Sequence, residues 1–143
     1  MDNQIEELHR SVTTLVRRLK IAETSLRVAH GELKFQPADI QSMRFIADQP
    51  GCKLAELAAH LGVVPTTASS VVDRLVRRGL VDRVRPEANR RAVALSLSGA
   101  GRDAFERLEA EELAAMRIML DALGEGERAG FVAAMKRIAT AID

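Results

Sequence analysis

Lys53-Leu54-Ala55-Glu56-Leu57-Ala58-Ala59-His60-Leu61, then Gly62-Val63-Val64, then Pro65-Thr66-Thr67-Ala68-Ser69-Ser70-Val71-Val72-Asp73-Arg74-Leu75-Val76-Arg77 is the stretch that decides the fold. It reads as a helix, a tight glycine turn and a second helix opened by a proline. After Gly79 the chain becomes extended through Leu80-Val81-Asp82-Arg83-Val84-Arg85. A tip follows at Pro86-Glu87-Ala88-Asn89, and then a return strand, Arg90-Arg91-Ala92-Val93-Ala94-Leu95-Ser96-Leu97. Two short helices joined by a glycine turn are how a small domain lays one helix in the major groove of DNA. A basic hairpin directly after that helix adds a second contact for the neighbouring groove. The order implies sequence-specific binding of double-stranded DNA.

The bulk properties agree once they are resolved along the chain. The 143 residues carry a net charge of only +1. From Asp73 to Arg91, however, seven arginines (74, 77, 78, 83, 85, 90 and 91) face three acids. From Asp103 to Glu127 eight acids face two arginines. A chain divided in this way has a basic face to meet phosphate, whatever its total charge. One cysteine excludes an intramolecular disulfide, which fits a reducing compartment. No apolar run reaches the ~20 residues needed to span a bilayer, and the acidic opening residues are wrong for a signal peptide. A cytoplasmic protein with no membrane partner is expected.

Apolar residues recur at steps of three and four in Ile5, Leu8, Val12, Leu15, Leu19, Ala22, Leu26, Ala29 and Leu33. That spacing predicts one long N-terminal helix, roughly 40 Å from end to end. A second helix is expected from Pro37 to about Pro50, with Ile40, Met43, Ile46 and Ala47 on its apolar face. Ser98 is placed to cap a long helix running to about Leu123, in which Ala104, Phe105, Leu108, Met116 and Leu120 recur at helical spacing. A final helix carries Phe131, Met135, Ile138 and Ile142. The fold class is therefore mainly α with a small β-hairpin wing: a winged helix-turn-helix over residues 36–98, flanked by helices over 1–35 and 99–143. Ile5, Leu8, Val12, Leu15, Phe131, Met135, Ile138 and Ile142 form terminal stripes that a second copy would cover, giving a symmetric homodimer. Two reading helices on the order of 34 Å apart would select a palindrome.

These residues resemble the MarR family of bacterial winged-helix transcriptional regulators over nearly the whole chain. The resemblance is carried by 53–63, by Val71-Val72-Asp73-Arg74-Leu75-Val76-Arg77-Arg78-Gly79-Leu80-Val81, and by the block from Asn89 to Gly101 that looks like the family's wing. It implies a homodimer that represses or activates nearby genes, and a repressor that leaves DNA when a small-molecule effector binds. The chain departs from the family pattern at Pro86 and Asn89, where wing aspartates are usual. It departs again at Val64, where a serine often caps the reading helix, and at Ser70, where an arginine is frequent.

On the helix opened by Pro65, Ala68, Val71, Val72 and Leu75 form the inward set. Pro65, Thr66, Thr67, Ser69, Ser70, Arg74 and Arg77 are the expected DNA-reading set, because short hydroxyl side chains let a helix lie deep in the groove and bond to base edges. Arg78, Arg83, Arg85, Arg90 and Arg91 are the expected wing and phosphate contacts. Arginine suits a narrow minor groove, and phosphate contacts position the protein without reading sequence. His9, His30 and His60 are scattered, and no spacing of His, Cys and acids matches a metal site. No cofactor motif, nucleophile–base pair or phosphate-cradling glycine loop argues for an enzyme. Without Trp or Tyr, stacking on single strands is disfavoured. A helical dimeric adaptor that binds proteins would explain the terminal stripes but not the arginine hairpin.

Overall fold

A computed structural model describes residues 1–19, 25–28, 31–85 and 92–142. The elements run α1 (Asp2–Arg18), β1 (Ser25–Val28), β2 (Gly31–Lys34), α2 (Pro37–Asp48), β3 (Cys52–Lys53), α3 (Leu54–Leu61), α4 (Pro65–Arg77), β4 (Val81–Val84), β5 (Ala94–Leu97), α5 (Gly99–Asp121) and α6 (Glu125–Ile142). They fall into two compact units. One is 22–109 and holds the winged region; the other comprises 1–21 and 110–143.

In the winged unit α2, α3 and α4 close over a three-stranded antiparallel sheet of order β3-β5-β4. Each helix has a local reason to start where it does. Pro37 opens α2, and the Asp39 carboxylate turns back to accept the Gln36 N–H at 2.8 Å. Glu56 accepts the Lys53 N–H at 3.2 Å and so fixes the start of α3. Gly62 ends α3 in the left-handed conformation (φ 67°), a region that L side chains rarely adopt. The Val63 N–H can then return to the Ala58 carbonyl at 3.1 Å. Pro65 opens α4, where its missing N–H costs nothing.

The core of this unit is made by the apolar positions that the helical spacing picks out. Met43, Ile46, Leu57, Val72 and Leu75 are fully buried, with Val81 and Leu95 contributed by the wing strands. In the wing, Val81 lies opposite Leu97 and Arg83 opposite Leu95. Cys52 also pairs with Leu95, so the wing is a sheet of three strands, where the sequence suggests two. Ser98 caps α5 as expected: the Gly101 N–H donates to its Oγ at 3.0 Å. Ala104, Phe105 and Leu108 on the first part of α5 are buried in the same core.

The expected long N-terminal helix is corrected. Helix α1 ends at Arg18, and Ser25–Val28 pairs with Gly31–Lys34 as a two-stranded antiparallel ribbon. Its register explains the misreading. Leu26 lies directly opposite Leu33, so two residues seven apart, which share a face on a helix, share one on this ribbon too. Gly31, at φ 137°, adopts a conformation that a continuous helix of L residues excludes. Leu26 is buried and Leu33 half-buried against the winged core, so the winged unit reaches back beyond residue 36. Ala22 and Ala29 lie outside the described residues.

The second unit comprises α1, the later part of α5, and α6. The Gly124 N–H donates to Glu127 Oε1 at 3.0 Å and fixes the start of α6. Arg128 Nε reaches the Leu120 carbonyl at 2.9 Å across the turn. Neither α1 nor α6 has a fully buried residue. Ile5, Leu8, Val12 and Val16 are exposed on α1, as are Val132, Met135, Ile138 and Ile142 on α6. Among the described residues no helix is long and apolar enough to cross a membrane.

Candidate nucleic-acid interface

Helix α4 has two chemically distinct sides. Ala68, Val71, Val72 and Leu75 face the core and are buried. Pro65, Thr66, Thr67, Ser70 and Arg77 are exposed, while Ser69 and Asp73 are half-buried at the boundary. An apolar side that anchors and a side of short hydroxyls that stays open is the arrangement required of a helix entering a groove. Ser70 is partly committed, because its hydroxyl donates to the Thr66 carbonyl at 3.1 Å. That bond leaves its oxygen lone pairs outward as acceptors.

The arginines divide more sharply than the sequence suggests. Arg74 donates from both Nε (3.1 Å) and Nη2 to Oδ1 of Asp39. Arg78 Nη2 donates to the Lys34 carbonyl at 2.7 Å. Its Nη1 lies 3.8 Å from Asp39 Oδ2, and its guanidinium lies over the Phe35 ring at 4.8 Å. Arg83 on β4 is ion-paired with Asp73 on α4, which ties the wing to that helix. Of the expected DNA contacts, then, Arg74, Arg78 and Arg83 are held by the protein itself. Arg77 and Arg85 are exposed and make no ion pair among the described residues. Arg90 and Arg91, with the tip residues Pro86 and Asn89, lie outside the described residues.

Asp39 is the residue that sequence reading missed. It is 1% exposed, and its carboxylate accepts from the backbone of its own helix start and from Arg74, and is ion-paired with Arg78 at the end of α4. The sequence signal for it is slight: an acid two places after Pro37 reads as an ordinary first-turn acid. The 35-residue separation from Arg74 hides its partner.

Cys52 begins β3, one residue before the capped start of α3, and is buried. Burial raises its thiol pKa above the ordinary value of 9.0. Nearby Glu56 adds to the rise, and a backbone hydrogen bond opposes it. A buried thiol held protonated is a packing group, whereas a reactive thiol needs an electropositive, accessible setting.

Comparison with known proteins agrees with this geometry. Residues 36–93 match the model of the MarR family. Among curated proteins no sequence matches the chain. Among solved structures, FabT of Streptococcus pneumoniae in complex with DNA superposes with a TM-score of 0.78 at 22% identity, covering 99% of this chain and 97% of that one. A MarR-like transcriptional regulator from Thermotoga maritima gives 0.75 at 20% identity, covering 95% and 94%. The PcaV transcriptional regulator of Streptomyces coelicolor in complex with its natural ligand gives 0.58 at 24% identity, covering 98% and 92%.

Proposed function

We propose, for a chain that carries the winged helix-turn-helix of the MarR family of transcriptional regulators, that it grips an inverted-repeat DNA operator as a homodimer. In this reading it is a cytoplasmic repressor released by a small-molecule effector. The observation that carries the proposal is the two-sided α4. Four residues lock it to the core, and Pro65, Thr66, Thr67 and Ser70 stand clear of the protein beside Arg77. Thr66, Ser69 and Ser70 read base edges in the major groove, while Arg77, Arg85, Arg90 and Arg91 meet phosphate or the adjacent minor groove. FabT in complex with DNA, which has the same fold, supports this use of the surface.

The dimer half of the proposal rests on the second unit. Ile5, Leu8 and Val12 on α1, with Met135, Ile138 and Ile142 on α6, remain exposed, and Leu15 and Phe131 are half-covered. Apolar stripes of this regularity mark surfaces that another chain covers. A second copy is the simplest occupant, and two-fold symmetry matches an inverted repeat. The ligand-bound regulator PcaV supports effector control in this fold.

The test is selection of bound duplexes from a randomised double-stranded pool. Enrichment of an inverted repeat, with half-site centres about one helical turn apart, is the expected result. Arg90→Ala combined with Arg91→Ala should then weaken binding to the enriched duplex by about tenfold or more and flatten its salt dependence. Recovery of no duplex at low salt would refute the DNA-binding reading. Recovery of an asymmetric sequence would refute the symmetric dimer.

A further inference from the structure

We infer that Asp39 sets sequence selectivity, as a positioning residue that fixes the angle of α4 and withholds Arg74 and Arg78 from the DNA backbone; this rests on the reading of α4 as the helix that enters the groove. A carboxylate taken out of water is costly unless it is paired and hydrogen-bonded, and Asp39 is both. One oxygen takes two N–H groups from Arg74. The other takes the Gln36 N–H at 2.8 Å and lies 3.8 Å from Arg78. The start of α2 is thereby pinned to the last turn of α4 by directional bonds. The apolar contacts of Val72 and Leu75 resist separation, but they resist a small rotation much less, because dispersion and burial are not directional.

The second consequence is electrostatic. Affinity for any duplex rises with each phosphate that a cation neutralises, and this contribution carries no sequence information. Arg74 and Arg78 belong to the basic run at the reading helix. Arg74 is turned inward to Asp39, and Arg78 is held by Asp39, the Lys34 carbonyl and the Phe35 ring. The buried acid, joined at Arg78 by the Lys34 carbonyl and the Phe35 ring, therefore keeps two guanidinium groups from contributing sequence-blind affinity, and leaves Arg77 as the exposed cation of the last turn of α4. Rigid presentation of Thr66, Ser69 and Ser70 and suppression of indiscriminate binding both widen the gap between a cognate and a random duplex.

Asp39→Asn separates this role from a general one, because the amide keeps the shape and an acceptor for the Gln36 N–H but loses the charge. Wild type and variant are titrated against the duplex recovered from the randomised pool and against a scrambled duplex, each over a range of salt. Asp39→Asn should lower the cognate-to-scrambled affinity ratio by about tenfold or more. Scrambled binding should be unchanged or tighter, with a salt slope steeper by about 0.9 for each phosphate newly contacted. An unchanged ratio, or equal loss on both duplexes with no change of slope, would overturn the inference. Asp39→Asn with Arg74→Gln replaces the ion pair by a neutral hydrogen-bonded pair and keeps the test decisive if the single variant does not fold. A lowered ratio again supports the role, and a wild-type ratio overturns it. If wild type itself binds neither duplex at low salt, the reading of α4 fails first, and that failure is distinct from the others.

Discussion

The two units of this protein use the same apolar residue types and reach opposite states. In the winged unit Met43, Ile46, Leu57, Val72 and Leu75 have no accessible surface. In the unit formed by 1–21 and 110–143, Ala115 is the one buried residue among those described. Ile5, Leu8, Ile138 and Ile142 are each half or more exposed. Periodicity is equally clean in both. It marks a face; what covers the face is decided elsewhere. In the winged unit the cover is local, because α2, α3, α4 and three strands enclose one small volume. In the other unit α1 and α6 leave their apolar stripes exposed in this chain, and the proposed second copy would supply the cover.

The largest effects should come from breaking each unit by its own weakness. Leu75→Ala removes a buried side chain from the closed core and should cost about 2–5 kcal/mol, independent of protein concentration, in urea unfolding. Ile138→Asp should leave the winged core intact but reduce the particle to a monomer by light scattering at micromolar concentration. It should also abolish the rise of the unfolding midpoint with concentration that a dimer requires. An Ile138→Asp protein with the mass of a dimer would break the comparison.

Smaller effects should come from two glycines that test whether space is closed or open. A Cβ built on Gly101 would lie 1.9 Å from the Leu80 carbonyl oxygen. Here α5 is clamped to the end of α4: Ser98 N–H donates to the Leu80 carbonyl at 3.0 Å and its Oγ to the Gly79 carbonyl at 2.5 Å. Gly101→Ala should therefore force the backbones apart and cost about 1–3 kcal/mol. Gly130, inside α6, has nothing within 4 Å of such a Cβ. Gly130→Ala should stabilise by about 0.5–1 kcal/mol through helix propensity alone. A destabilising Gly130→Ala would sharpen the comparison differently, by mapping that face of α6 to the covered side of the dimer.

How much of this was legible in the sequence follows from the range of the forces involved. The helix-turn-helix was legible because its signals are local: Gly62 at the turn, Pro65 at the helix start, and Ala68, Val71, Val72 and Leu75 at helical steps. The capping of α5 by Ser98 was legible for the same reason. The β1–β2 ribbon was not, because Leu26 and Leu33 satisfy helical and paired-strand geometry alike, and only the pairing of the two strands distinguishes them. The sorting of the arginines was also hidden. Arg74, Arg77 and Arg78 are interchangeable by composition, and they differ because Asp39, Lys34 and Phe35 arrive from far along the chain to hold two of them. Contacts of that kind depend on tertiary packing, which no local pattern encodes.

The smallest expected effect uses Cys52 as a reporter of the closed unit. Its thiol pKa is raised chiefly by burial, with Glu56 adding to the rise. The folded state therefore favours the protonated form more than the unfolded chain does. Whatever stability this contributes is complete below the unfolded pKa and is lost as pH rises through the higher folded value. From pH 6 to 8 the group should leave stability unchanged, and a decline should begin only above about pH 9. Because the thiolate is the reactive form, modification by a disulfide reagent at pH 8 should wait for the winged unit to open. Leu75→Ala, which weakens that unit, should speed the reaction by the same factor by which it raises the open population, about tenfold for each 1.4 kcal/mol lost. Ile138→Asp at fixed chain concentration should change the rate far less, since it acts on the unit whose surface is already open. Equal acceleration by both variants would mean that the two units open together and that their difference in burial does not divide the protein's stability.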